Sequence, residues 1–109
     1  MTLAAPDNKT MLHLVFASPL AQAALSDALD RATAGDSVLL LGDAVYALRA
    51  GPLWTARLAD AVAHGIRVFA LADDVACRGL ASPLPEIAVI SYAGFVDLAV
   101  AYPRSLSWV

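Results

Sequence analysis

The sequence predicts an α/β fold: a three-layer α/β/α sandwich around a mostly parallel sheet of four to five strands. Three observations carry this. Strand and helix signals alternate along the chain, and that order generates parallel βαβ units. Residues 37–41 (SVLLL) are nearly continuously apolar, as in a strand covered on both faces. Each connection is long enough to hold a crossover helix.

The elements follow in order. Residues 1–10 (MTLAAPDNKT) are polar and aperiodic and read as a loose N-terminal extension, which makes Met11 a candidate start of the folded unit. Residues 11–109 form one domain, and residues 11–16 its first strand. Ser18-Pro19 offers a cap and a proline suited to a first helical position, so a helix is expected over 20–33. Leu25, Ala28, Leu29 and Ala32 form its buried stripe, and Gly35 follows its end. Strand 37–41 leads through Gly42-Asp43 into a short helix over 44–49, which Ala50-Gly51-Pro52 breaks.

The next helix spans 54–64, with Trp54, Leu58, Ala61 and Val62 on one stripe and Gly65 at its end. Residues 67–71 are the third strand. Asp73-Asp74 open a helix of one to two turns through Arg78, closed by Gly79. A proline-containing loop precedes a fourth strand ending at Ile90. Ser91 caps a helix over 92–102, stopped by Pro103, whose stripe of Tyr92, Phe95, Val96 and Ala99 is expected to be buried. Residues 105–108 are a candidate final strand.

Composition narrows the function. The chain has 109 residues, enough for a single domain. Apolar residues make up 60%, although 24 of them are alanine. Charged residues make up 16%, below the usual ~25%, which excludes intrinsic disorder. Seven basic against ten acidic residues leave a net charge of −3, with no basic face for a phosphate backbone, so no direct nucleic-acid contact is expected. No run reaches the ~18 apolar residues of a membrane span. The apolar run 11–16 also falls short of the ~7–15 residues of a signal-peptide core and contains His13. A cytoplasmic protein is expected.

The motifs are sparse. The six glycines match neither a dinucleotide-binding nor a phosphate-binding loop, and there is no G-x-S-x-G elbow. His13 and His64 have no ligand-spaced partner, and one cysteine excludes an internal disulfide, so no metal and no cofactor are expected. Cys77 is the one intrinsic nucleophile to weigh. Arg78 beside it favours a thiolate, whereas the plain alternative is a small residue on the inner side of a short helix. Asp43 and Asp74 follow the carboxyl ends of strands, where open α/β sheets bind ligands; helix capping is the competing role. His13, among apolar neighbours, reads as a hydrogen-bonded structural histidine. Tyr102 and Trp108 either dock the tail on the body or anchor an interface.

Several segments in order resemble the TusB/DsrH family. They are Met11-Leu-His-Leu, Ser18-Pro19, the stretch from Gly35 to Tyr46, the stretch from Phe69 to Leu80, and Ser91 to Leu98. The ending Tyr102-Pro-Arg-Ser-Leu-Ser-Trp108 completes the match, which spans Met11 to Trp108. The resemblance implies a DsrEFH-like fold and a non-catalytic subunit of a sulfur relay. It implies partners similar to TusC/DsrF and TusD/DsrE in a hetero-hexamer with two copies of each chain. Persulfide sulfur would leave that complex through a TusE-like carrier for the thiouridylase MnmA and the wobble uridine of tRNA. DsrH-like subunits serve sulfur oxidation instead, and a thiol enzyme or persulfide carrier using Cys77 is the other alternative.

The chain departs from the family in two places that bear on sulfur chemistry. The first-helix cysteine of some DsrH-type members aligns with Ala28, and Cys77 stands where the family more often has a small residue. Cys77 is therefore expected to carry no relay sulfur. Asp43, Asp74, Arg78 and Trp108 are the candidate strand-end or interface residues, with the short helices near Asp43 and Asp74 at or near the subunit contact.

Overall fold

The computed structural model describes residues 6, 9–81 and 84–109. Five parallel strands lie in the order β4-β3-β2-β1-β5: β1 Leu12–Val15, β2 Ser37–Leu40, β3 Arg67–Leu71, β4 Ala88–Ile90 and β5 Ser105–Trp108. The candidate final strand is real. It pairs with β1, setting Leu12 opposite Ser105 and Val15 opposite Trp108.

The helices are α1 Ala24–Arg31, a 3₁₀ helix Gly42–Arg49, α2 Pro52–Ala63, α3 Ala72–Cys77 and α4 Tyr92–Ala101. Successive steps from β1 to β4 all move the chain one way across the sheet, and β4 to β5 carries it back past three strands. Right-handed crossovers then put the earlier helices on one face and α4 alone on the other.

The two faces have separate cores. On the first, Val15, Val38, Leu40, Val68 and Ala70 from the strands meet Leu25, Ala28, Val45, Leu58 and Val75 from the helices. On the second, Leu12, Leu39, Leu41, Leu71 and Tyr102 are buried, and Leu14, Phe69, Ile90, Phe95 and Leu98 only half-covered.

The structure corrects several boundaries. Ser18-Pro19 opens a turn rather than the first helix: the amides of Ala21 and Gln22 donate to the Ser18 carbonyl, and that of Leu20 to its hydroxyl. The helix starts at Ala24, where its inward face begins, so packing outweighs the capping signal. Gly35 lies past the helix in a turn at φ +92°, where a Cβ would come within 2.9 Å of Thr10 Cγ2. Pro52 not only ends the 3₁₀ helix but begins α2, at a first-turn position that needs no amide.

The expected burial of α4 is not met. Ser91 caps the helix as predicted, accepting from the Gly94 amide at 3.2 Å. Yet no α4 residue is fully buried; Val96 is 43% exposed and Tyr92 63%. Of the predicted stripe Phe95 does pack inward, joined by Leu98, which the stripe did not include. The helix is apolar on nearly every side except at Asp97, so periodicity alone could not select the inner stripe.

Of the expected extension, Lys9 and Thr10 reach the body. The Lys9 carbonyl accepts from Arg104 at 3.1 Å, and Thr10 lies against Gly35. The rest of it, apart from Pro6, is outside the described residues. No helix among the described residues is long and apolar enough to cross a membrane.

Candidate functional site

All strands are parallel, so their carboxyl ends share one edge of the sheet. Asp43 and Asp74 reach it because each starts a helical turn just after β2 or β3. Neither caps its own helix; Leu41 and Leu71 occupy the cap positions. Asp74 caps its neighbour instead, its Oδ2 accepting from the Gly42 amide at 2.8 Å. That amide opens the 3₁₀ helix and has no intrahelical acceptor. Gly42 sits at φ +53°, a conformation that suits glycine.

Arg78, just past α3, closes the cluster. Its Nη2 and Nε donate to Asp43 Oδ1 at 2.8 and 3.3 Å. Its Nη1 donates to the Asp74 carbonyl at 3.1 Å and lies 3.6 Å from Asp74 Oδ1. The guanidinium also stands over the Tyr46 ring, 5.6 Å from its centroid. The hydrogen bond to Asp43 is the main reason the guanidinium is held protonated even more firmly than usual. The arrangement ties α3 to the 3₁₀ helix and leaves the cation already engaged by carboxylates.

Cys77 lies beside this cluster but outside its network. The inward-facing position expected for a plain structural cysteine is not found: the thiol is exposed. Arg78 is directed at Asp43 and Asp74, and among the described residues no hydrogen bond reaches the sulfur. Ala28, aligned above with the first-helix cysteine of some DsrH-type members, is fully buried in the first core.

Trp108 lies in a different place. Its indole turns back over β1 and donates to His13 Nδ1 at 3.1 Å, with the ring centroids 6.2 Å apart. His13 Nε2 stands 2.9 Å from Asp36 Oδ2, and both side chains are buried. Asp36 also accepts from the amides of Met11 at 3.0 Å and Thr33 at 3.1 Å. Across the sheet, the Tyr102 hydroxyl donates to the Gly35 carbonyl at 3.0 Å, which leaves Ser37 Oγ as the donor in their 2.6 Å contact. The tail therefore docks on both faces of the sheet. Sequence reasoning anticipated a structural His13 but missed Asp36 and Ser37. The available signal was two polar residues immediately before an unbroken apolar strand.

The sheet-edge residues and the tail residues are thus two clusters, not one. Two clefts lie elsewhere. One of about 440 Å³ separates α1 from α2 and includes Asp30, Arg57, Asp60 and His64. Arg57 there donates to Ser26 at 2.7 Å and Asp30 at 3.0 Å and covers Trp54. The second, about 400 Å³, lies beside β3 and is lined by Val68, Phe69 and Glu86. Neither includes Asp43, Asp74, Cys77, Arg78 or Trp108. Among the described residues no cluster of three or more His, Cys, Asp or Glu side chains is arranged to hold a metal ion.

Comparison with known proteins agrees with this architecture. The chain superposes on the crystal structure of the ychN protein from E. coli with a TM-score of 0.74, covering 91% of this chain and 98% of that one at 17% identity, which is a likeness of fold. Protein TusB of Erwinia tasmaniensis is 36% identical over 99 residues, and Protein TusB of Escherichia coli K12 is 37% identical over 101. Each alignment covers 90% of this chain and the whole of the relative. The family described as DsrH like protein matches residues 17–105, and with these relatives it establishes that the chain belongs to the DsrH family.

Proposed function

We propose that this chain is a non-catalytic, cytoplasmic subunit of a sulfur-relay complex, assembled with TusC/DsrF-like and TusD/DsrE-like chains. It supports persulfide transfer toward 2-thiolation of the tRNA wobble uridine. Family membership supports the pathway class, and the outer side of α4 carries the assembly reading. Tyr92, Val96 and Val100 are 63%, 43% and 81% exposed on a helix with one charged residue. Contiguous apolar surface of this kind marks an interaction site.

The sheet-edge cluster suits an accessory role, since Asp43, Asp74 and Arg78 satisfy one another rather than a ligand. The net charge of −3 argues that another subunit contacts the RNA. Size-exclusion chromatography with light scattering, alone and after co-expression with both partner chains, tests the reading. One larger species containing all three chains is expected. A monomer that ignores both partners overturns it.

The exposure of Cys77 favours a second reading, in which this thiol carries persulfide. Cys77→Ser separates the two. The accessory reading predicts unchanged 2-thiouridine in cells lacking the native gene. Loss of thiolation with assembly intact would establish the carrier role.

A further inference from the structure

We propose that the C-terminal strand is held by a proton-sensitive latch, in which neutral His13 docks Trp108 and protonated His13 releases it. An indole N–H can only donate. His13 Nδ1, 3.1 Å from Trp108 Nε1, must therefore be the acceptor, and the ring proton sits on Nε2. Nε2 then donates to Asp36 Oδ2 at 2.9 Å. Asp36 takes two further backbone donors, so it is built to accept all three as a carboxylate. Every polar atom of the imidazole is committed, and the docked state requires the neutral Nε2–H tautomer.

A second proton has only Nδ1 to occupy. There it faces the indole N–H, and two donors replace a donor and an acceptor. Asp36 welcomes the imidazolium, so the conflict lies with Trp108 alone. Trp108 is also the partner that can leave. It ends an edge strand paired only with β1, and Ser105, Leu106 and Ser107 before it are exposed, whereas His13 sits on a strand paired on both sides.

Among the described residues Asp36 is the ionisable group in contact with His13. Of the elements packed around it, α1 carries Asp27, Asp30 and Arg31, all exposed, and Arg104 before β5 is turned to the Lys9 carbonyl. The docked state binds one proton fewer than the released state, so docking weakens as pH falls, by up to about tenfold per pH unit.

Hydrogen exchange of the full chain in its isolated assembly, from about pH 8 to about pH 5, reads the latch. Rates are normalised to intrinsic exchange. Protection of residues 104–109 is expected to fall at least about tenfold toward acid while that of β3 stays constant. His13→Gln preserves an acceptor toward Trp108 and a donor toward Asp36 without titrating, and its tail protection should be flat with pH. If that variant does not fold, Trp108→Phe replaces it: its tail should already be poorly protected at about pH 8 and change little toward acid. Tail protection in the natural chain that stays constant over this range, or that falls equally in His13→Gln or Trp108→Phe, overturns the latch.

Discussion

The two faces of the sheet are built to different standards. The first is closed by α1, the 3₁₀ helix, α2 and α3, and buries Leu25, Leu40, Val45 and Leu58 completely. The second has only α4, and its flanking Leu14, Phe69 and Ile90 stay half-covered. The cause is topological: four strands laid down in one direction place every right-handed connection on one side, and a single return crossover is left for the other. A helix set alone against five strands covers only part of their width. The fold therefore completes one core by itself and leaves the second face and the outside of α4 available to another chain. The same apolar composition closes a core on one side and, in the function proposed above, would serve assembly on the other.

The sharpest way to break the comparison is to cut into each side. Leu58→Ala, in the closed core, should cost about 2–5 kcal/mol in equilibrium unfolding, the range for a fully buried leucine. Phe95→Ala, on the inner side of α4, should cost less than the ~3–5 kcal/mol of an enclosed phenylalanine, because its site is half-covered: about 1–2 kcal/mol. Val96→Ser with Val100→Ser should leave the isolated chain within about 0.5 kcal/mol per site yet abolish co-elution with the partner chains. Equal losses from Leu58→Ala and Phe95→Ala would show two equally closed faces. Normal co-elution of the Val96 and Val100 variant would move the assembly surface off α4.

The same contrast explains how much of the molecule was legible in the sequence. Strands were legible because Ser37 to Leu41 and Arg67 to Leu71 are short apolar runs between turn residues. The register of β5 was not, since Ser-Leu-Ser-Trp has little strand signature, and its pairing with β1 depends on where a long crossover lands. On α2, Leu58 and Ala61 stand opposite polar residues, so the buried stripe was readable. On α4 both sides are apolar, and the inner one is chosen by the neighbouring Ile90 and Leu71 rather than by the helix itself. The positions of Asp43 and Asp74 after the strand ends were legible, whereas Arg78 and Trp108 were singled out only as interface candidates and lie in different clusters. The pairing of Arg78 with Asp43 was not legible, because it joins residues 35 positions apart. The His13–Trp108 contact joins positions 95 apart through one tautomer, a detail no local pattern encodes.

The smallest effect should come from that sheet-edge cluster. Arg78 makes its bonds to Asp43 and Asp74 near the surface, where water already solvates both charges and each ion pair contributes little. Its aliphatic stem and the face it presents to Tyr46 add modest packing. Asp74 still caps the Gly42 amide when Arg78 is gone, so the junction between α3 and the 3₁₀ helix keeps its backbone bond. Arg78→Ala should therefore lower the thermal midpoint by less than Phe95→Ala does, and added salt should shrink the difference from the natural chain. Asp74→Ala removes the bond to the Gly42 amide as well as the charge, and should be the more damaging of the two. Thermal unfolding of both variants at low and high ionic strength checks the order. An Arg78→Ala loss that exceeds that of Asp74→Ala and resists salt would mean that the guanidinium, not the carboxylate cap, holds this edge of the sheet together.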